Sequence, residues 1–216
     1  MVKTYSDLYL ECRRALLAQE EPQDASMMAR NLLSYYTGHP QEYILSHMEL
    51  YAGEDVCQKM EDATQRLLKE EPLPYVLGEW EFYGLNLYVN ENVLIPRDDT
   101  CAVVSLAINQ ALFLPETPRI LDLCTGSGCI GLAVASRVKD ARVTLADVSK
   151  DALAVAKKNL MAHKMSARVS CIHADALKPA PAVLGKFDMI ISNPPYIPNR
   201  ELTDLPVSVQ IGRAHV

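Results

Sequence analysis

The sequence of 216 residues lacks three features that would place it in large classes of proteins. No apolar run approaches the roughly 20 residues that a membrane-spanning helix needs. The N-terminus, MVKTYSDLYLECRR, becomes acidic and amphipathic too early for a signal peptide, so we expect a cytoplasmic protein without membrane contact. None of the six cysteines forms a CxxC pair, which argues for reduced structural thiols and against a metal site.

An excess of basic residues is also missing. The 27 Asp and Glu residues outnumber the 21 Lys and Arg residues, and the formal net charge is −6 with a pI near 5.4. A dedicated nucleic-acid-binding protein normally presents a basic face. We therefore expect no direct binding to nucleic acid.

Residues 1–73 are predicted to form a small helical bundle, because apolar residues recur there at helical spacing. The three predicted helices start near a capping box at Thr4-x-x-Asp7, near a cap at Asp24, and near residue 54. Gly38 is expected to end the second helix, and the third is expected to end near residue 70.

Residues 74–98 change in character to aromatic and β-branched side chains. This composition predicts a β-hairpin that turns near Gly84. The connector that follows contains Ile95-Pro96-Arg97, in which the proline forces the preceding residue into an extended conformation.

Strand and helix patterns alternate over residues 99–210. The predicted helices cover 99–114, 129–138 and 150–162, and the predicted strands cover 119–123, 141–147, 168–174 and 186–192. Nearly continuous apolar strands that alternate with helices are typical of a parallel, doubly wound sheet. The sequence thus predicts an α/β fold for this region.

The stretch ILDLCTGSGCIGLAV, residues 120–134, runs from a predicted strand through a Gly-rich turn into a helix. Gly126 and Gly128 permit close backbone approach, and the helix N-terminus offers free N–H groups to an electron-rich ligand. The stretch also satisfies the loose GxGxxG pattern of dinucleotide sites. Asp122, inside the strand, makes it more similar to motif I of S-adenosylmethionine-dependent methyltransferases, although a merely tight strand–helix turn is an alternative.

Two further carboxylates follow predicted strands. Asp147 ends the second strand, where a carboxylate can accept two hydrogen bonds from a ribose diol. Its alternative role is helix capping, for which Ser149 is better placed. Asp175 follows the third strand and is expected beside an adenine, with a solvated loop acid as the open alternative.

Asn193-Pro194-Pro195-Tyr196 comes directly after the fourth strand, which the two prolines must end. An amide or exocyclic amino nitrogen is a poor nucleophile because conjugation delocalises its lone pair. Asn193 Oδ1 and the Pro194 carbonyl can each accept one of its hydrogens, and these contacts strengthen as the nitrogen becomes pyramidal. Tyr196 can stack on the planar group.

With these motifs in register, the chain resembles the peptide chain release factor glutamine methyltransferases, the PrmC/HemK family. The segment EPLPYVLGEWEFYGLNLYVNENVLIPRDDT is similar to that family's interdomain hairpin and connector. The resemblance implies a Rossmann-like class I methyltransferase sheet within 99–210, of which four strands out of the order 3-2-1-4-5-7-6 are visible. We expect the natural protein to continue, and the ending IGRAHV, residues 211–216, to be a non-native tail.

The resemblance implies methylation of the glutamine side-chain nitrogen in the Gly-Gly-Gln motif of release factors, by a monomer that uses S-adenosylmethionine and no metal. Residues 1–73 would dock the release factor. The implied cofactor-binding residues are Cys124, Thr125, Gly126, Ser127, Gly128, Asp147, Asp175, Ala176 and Asn193, and the implied catalytic residues are Asn193, Pro194, Pro195 and Tyr196. The chain departs from the family pattern at Cys124, a usual glycine, and at Asp98, Cys101 and Ala176.

Three other functions fit parts of the pattern. An amino-methyltransferase acting on adenine or cytosine would use the same clamp on a flipped base, but it needs a positively charged cleft. A nicotinamide oxidoreductase would use the GxGxxG match and leave Asn-Pro-Pro-Tyr unexplained. An inactive remnant that only binds release factors would have lost cofactor binding.

Overall fold

The computed structural model describes residues 2–195, and the chain divides between Leu77 and Gly78 into two compact units. The expected tail at 211–216 lies outside the described residues. Within 2–195, no helix combines the length and the apolar character that crossing a membrane requires.

The described part of the first unit contains five helices. They are α1 (Tyr5–Leu16), α2 (Pro22–Thr37), α3 (Gln41–Ser46), α4 (Glu54–Leu67) and α5 (Leu73–Leu77). Their apolar faces meet in one core, whose largest fully buried side chains are Leu16, Leu32, Leu33, Ile44 and Met60. The helical character predicted from apolar spacing is confirmed.

Helix ends follow local signals with one exception. The capping box of α1 forms as predicted, since the Asp7 N–H donates to Thr4 Oγ1 (3.1 Å) and the Thr4 N–H donates to Asp7 Oδ2 (2.9 Å). Gly38 ends α2 with a φ of +70°. The prediction that Asp24 caps α2 is wrong, because the helix begins at Pro22, whose fixed φ suits the first helical position.

Two helices lie where the sequence predicts none. Helix α3 has six residues, and α5 has five and occupies the start of the segment predicted as a hairpin. Segments of fewer than two turns show no apolar periodicity, so the pattern could not reveal them. Helix α4 ends at Leu67, earlier than predicted, and Glu70 adopts a φ of +62° in the turn that follows.

The second unit begins with the predicted hairpin. Its strands are β1 (Glu79–Phe82) and β2 (Leu85–Tyr88), which pair antiparallel. Tyr83 and Gly84 form the turn with φ values of +52° and +78°. Two positive φ values suit the tight turn of a two-residue hairpin, so the predicted turn position is confirmed.

A parallel sheet of four strands follows in the described residues, with the order β5-β4-β3-β6. Its strands are β3 (Arg119–Leu123), β4 (Arg142–Asp147), β5 (Val169–His173) and β6 (Met189–Ser192), and the helices are α6 (Thr100–Ala111), α7 (Cys129–Arg137) and α8 (Lys150–Ala162). These helices share one core with Ile120, Val143, Leu145 and Ile191 of the sheet. The α/β class and the parallel sheet are confirmed.

Along each strand, the residues between those that face this core lie on the opposite face of the sheet. There Leu121 and Ala146 pack with Ala174 and with Leu184, which lies in a short 3₁₀ helix (Ala182–Leu184). The sheet is therefore apolar on both faces, as a doubly wound sheet requires.

Candidate active site

The carboxyl ends of the parallel strands lie at one edge of the sheet, and the register brings two predicted motifs together there. Leu123, the last residue of β3, pairs with Ala146 of β4 on one side and with Ser192 of β6 on the other. Cys124, the first residue of the Gly-rich loop, follows Leu123, and Asn193 follows Ser192. The Gly-rich loop, residues 124–128, and the start of the Asn-Pro-Pro segment are therefore neighbours.

The Gly-rich loop owes its shape to three residues with positive φ. Cys124, Gly126 and Gly128 have φ values of +60°, +54° and +83°, and Gly128 precedes the first residue of α7. The Gly128 N–H donates to the Thr125 carbonyl (2.9 Å), and the Thr125 N–H donates to the Ala146 carbonyl (3.0 Å). Cys124 is the one non-glycine residue in this conformation within the loop.

Asp122 is fully buried beneath the loop. Its Oδ2 accepts hydrogen bonds from Thr125 Oγ1 (2.6 Å) and from the Gly131 N–H (2.8 Å), while its Oδ1 has no hydrogen-bond partner among the described residues. Burial raises the pKa of Asp122 to about 6, and the two hydrogen bonds act in the opposite direction. The carboxylate thus ties the loop and the first turn of α7 to β3.

Gly131 allows α7 to approach the sheet more closely than any other residue could. A Cβ atom at this position would collide with Leu145 Cδ2 and would lie 2.9 Å from Asp122 Oδ2. The third glycine of the GxGxxG pattern therefore serves helix–sheet packing here. It fixes where the N-terminus of α7 stands relative to the loop.

Asp147 lies at the end of β4, opposite His173 of β5, and is 7% exposed. Its Oδ2 accepts a hydrogen bond from the Gly126 N–H (2.9 Å), and its Oδ1 accepts one from the Ser149 N–H (2.9 Å). Ser149 itself caps α8, because its Oγ accepts from the Ala152 N–H. A carboxylate has about four acceptor positions, of which these two hydrogen bonds use two. The ribose role stays a prediction.

Asp175 and Ala176 follow β5 at the same edge. Asp175 Oδ1 accepts a hydrogen bond from the Leu177 N–H (2.9 Å), and Oδ2 pairs with Lys178 Nζ at 3.2 Å. The hydrogen bond from Leu177, followed by that from Lys178, lowers the pKa of Asp175. Ala176 is exposed. The local contacts of Asp175 match the loop-acid alternative, and the adenine role stays a prediction.

The strand before the Asn-Pro-Pro segment ends at Ser192, where the double proline predicted it would. Ser192 Oγ donates a hydrogen bond to the Leu123 carbonyl (2.7 Å), which fastens the end of β6 to the end of β3. Asn193, Pro194 and Pro195 are exposed, and their role in holding a substrate stays a prediction. Tyr196, predicted to stack on the substrate, lies outside the described residues.

The cysteines in this region do not have the character of reactive thiols. Burial raises the pKa of Cys124. Burial raises the pKa of Cys129 to about 12. A thiol is reactive as the thiolate, which a raised pKa disfavours. All six cysteines of the chain are free.

One buried residue at the site carries no recognisable sequence signal. Asn159, on α8, donates from Nδ2 to the Ser127 carbonyl (2.9 Å) and also bonds to the backbone of Tyr88. A single polar residue in an amphipathic helix ordinarily faces solvent, so its sequence context gives no reason to single it out. Its partners lie 32 and 71 residues away in the chain.

The residues at this edge fit a polar ligand such as S-adenosylmethionine. A Cβ atom at Gly126 would meet nothing within 4 Å, so the surface beside the loop is open. Asp147 has acceptor capacity for hydroxyl groups next to that opening. Within residues 2–195, no group of three or more His, Cys, Asp or Glu side chains is placed to hold a metal ion.

Comparison with known proteins gives two family matches. Residues 103–211 match the family described as "Methyltransferase small domain", and residues 8–78 match the "PrmC N-terminal domain". The first match begins in α6 and includes the Gly-rich loop, Asp147 and the Asn-Pro-Pro-Tyr segment.

Three curated relatives show the extent of the similarity. The release factor glutamine methyltransferase of Chlorobaculum tepidum is 41% identical over 184 residues, which are 82% of this chain. The enzyme of the same name from Bacteroides thetaiotaomicron is 36% identical over 75% of the chain. The ribosomal protein uL3 glutamine methyltransferase of Francisella tularensis is 40% identical over 66% of it. The matched regions span 60%, 59% and 45% of these relatives' own lengths.

Proposed function

The chain belongs to the methyltransferase small domain family and carries a PrmC N-terminal domain ahead of it, and we propose that it methylates release factors. The reaction would transfer a methyl group from S-adenosylmethionine to the side-chain amide nitrogen of the glutamine in their Gly-Gly-Gln motif. The two matches confirm the resemblance to the PrmC/HemK family that the motifs indicated. One observation carries the proposal: the pairing of Leu123 with Ser192 sets the Gly-rich loop beside Asn193.

The Gly-rich loop and the carboxylates beside it would hold the cofactor, which supplies an electrophilic methyl group. Residues 124–128 would present backbone groups to the polar end of the molecule. Asp147 would accept hydrogen bonds from the ribose hydroxyls through the acceptor positions that Gly126 and Ser149 leave free. Asp175 and Ala176 would lie beside the adenine.

The Asn-Pro-Pro segment would hold the amide of the substrate. Asn193 Oδ1 and the Pro194 carbonyl would each accept one N–H hydrogen of the glutamine, which draws electron density toward the nitrogen and favours a pyramidal geometry. These hydrogen bonds grow stronger in the transition state, so they lower the barrier more than they tighten substrate binding. Pro195 keeps the segment rigid, and Tyr196 would stack on the amide plane.

The remaining parts of the chain take supporting roles in this proposal. Residues 1–73 would dock the release factor, the hairpin within 74–98 would lead into the connector, and 99–210 would form the methyltransferase domain. The protein would act as a monomer in the cytoplasm, without binding nucleic acid directly. The net charge of −6 supports the last point, because a polyanion is repelled by an acidic surface.

The relative that methylates ribosomal protein uL3 favours a second candidate substrate. Glutamine in uL3 presents the same side-chain amide as glutamine in a release factor. The clamp at Asn193 would accept either one, so the choice between them depends on how the protein substrate docks.

The test is label transfer from methyl-tritiated S-adenosylmethionine to purified release factor, to purified uL3 and to duplex DNA in parallel tubes. We expect label on the release factor, and none on a release factor whose Gly-Gly-Gln glutamine is replaced by glutamate. Label on uL3 alone would establish the second candidate. Label on DNA alone, or no label on any of the three, would refute the proposed function.

A further inference from the structure

Asn159 connects two segments that are distant in the chain. It lies on α8 and is 1% exposed. Its Oδ1 accepts a hydrogen bond from the Tyr88 N–H (2.7 Å), and its Nδ2 donates to the Tyr88 carbonyl (3.0 Å) and to the Ser127 carbonyl (2.9 Å). Tyr88 is the last residue of β2 in the hairpin, and Ser127 lies in the Gly-rich loop. One buried side chain therefore joins the hairpin to the loop.

Only an amide of this length can make these contacts. The side-chain amide of asparagine has two donor hydrogens, and both of them are used here. Aspartate would turn both donors into an acceptor that faces two carbonyl oxygens. Leucine keeps the volume but leaves the Ser127 carbonyl and both backbone groups of Tyr88 without this partner, and unpaired buried polar groups are costly.

Lys158 of α8 and His163, the residue after the helix, also contact the hairpin, but they do not reach the loop. Lys158 Nζ lies over the Tyr88 ring, 3.1 Å from its centroid. His163 Nε2 lies 2.9 Å from the Asn86 carbonyl oxygen. The hairpin is therefore held on α8 at several points, and Asn159 alone among these contacts extends to residues 124–128.

We propose that Asn159 is a positioning residue that couples the Gly-rich loop to the hairpin. Cofactor binding at the loop then restrains the hairpin, and displacement of the hairpin weakens cofactor binding by the same factor, because coupling between two sites is reciprocal. The inference rests on the proposed function only in taking S-adenosylmethionine as the ligand of the loop. It requires no methyl transfer.

The hairpin contains its own reporter. Trp80 is the single tryptophan of the chain, lies in β1 and pairs with Leu87, the neighbour of Tyr88. Trp80 emission is followed while S-adenosylmethionine is added, and cofactor affinity is measured independently by calorimetry. We expect wild type to show a saturable change in emission with the calorimetric dissociation constant. Asn159→Leu should bind about tenfold more weakly and lose the emission change at saturation.

The matched control is Asn109→Leu, the same substitution at an exposed position of α6. It should retain both the affinity and the emission response of wild type. An Asn159→Leu variant that also retains both would overturn the inference and leave the proposed function intact. A wild-type protein that binds no S-adenosylmethionine would overturn the proposed function and the inference together.

A measurement on wild type alone covers the case in which Asn159→Leu does not fold. The Tyr88 N–H donates to Asn159 Oδ1, so its hydrogen exchange reports on this contact directly. We expect saturating cofactor to slow exchange of this amide at least about fivefold, beyond the change at amides of α1, which belongs to the other compact unit. Equal protection with and without cofactor would overturn the inference.

Discussion

Gly131→Ala tests the energetic consequence of the close approach of α7 to the sheet. In an ordinary helix, replacing glycine with alanine stabilises the fold by about 1 kcal/mol, because alanine has the higher helix propensity. At Gly131 the new Cβ would collide with Leu145 Cδ2 and approach within 2.9 Å of Asp122 Oδ2. Overpacking costs about 1–3 kcal/mol, and α7 must shift in a way that strains the hydrogen bond from Gly131 to Asp122. The gain in helix propensity and the cost of the collision therefore have opposite signs.

We expect the collision to dominate, with a net loss of about 2 kcal/mol in the free energy of unfolding. For a chain of this size, that loss lowers the melting temperature by about 4–8 °C. Urea unfolding followed by emission from Trp80, which lies in the same compact unit, measures the loss. Ser136→Ala on the same helix is the control, because its gain in helix propensity offsets the loss of the hydrogen bond from Ser136 Oγ to the Ala133 carbonyl, and it should change stability by less than about 0.5 kcal/mol. A Gly131→Ala variant as stable as wild type would refute the packing described here.

Three further predictions follow from the site. Asn193→Ala should abolish methyl transfer while cofactor affinity stays within about tenfold of wild type, since Asn193 acts mainly on the substrate amide; a variant that transfers at full rate would refute the clamp. Burial raises the pKa of Asp122 from 3.8 to about 6, so the folded protein holds this proton more tightly than the unfolded chain. The stabilisation that protonated Asp122 contributes to the free energy of unfolding is present below pH 4 and is lost as the pH rises to about 6. Asp122→Asn should therefore gain up to about 3 kcal/mol relative to wild type between pH 4 and pH 7 in urea unfolding, and a difference independent of pH would contradict this. Cys124 has a φ of +60°, so Cys124→Gly should leave stability unchanged or higher, whereas the β-branched Cys124→Val should lower it by about 1–2 kcal/mol in thermal unfolding; equal stabilities would argue against this backbone conformation.

The sequence predicted best those features that depend on residues close together in the chain. The capping box joins Thr4 and Asp7, which are three positions apart, and the turn at Gly84 depends on two residues. The limits of α8 agree with the prediction because Ser149 marks its start and apolar spacing marks its face. Where the prediction failed locally, at Asp24, a second local signal from Pro22 was stronger.

Features that depend on distant residues could not be predicted in detail. The sequence placed Asp147 at the end of a strand, but it did not indicate that the Gly126 N–H would use one of its oxygens. Asn159 was missed because the fold alone brings Tyr88 and Ser127 to it. The resemblance to a family supplied the role of each motif, whereas the contacts that hold the motifs in place appear only in the structure.

Those contacts divide the site into two parts with different physical character. The Gly-rich loop is fixed on three sides, since Asp122 holds Thr125, Asp147 holds Gly126 and Asn159 holds Ser127. A loop held in this way has its shape before the ligand arrives, so none of the ligand's binding free energy is spent on ordering the loop. The segment 193–195 is exposed, and the hydrogen bond from Ser192 to the Leu123 carbonyl joins the strand before it to the strand that leads into the loop. Changes behind the loop should therefore appear first in cofactor affinity, and changes in the exposed segment should appear in the rate of transfer.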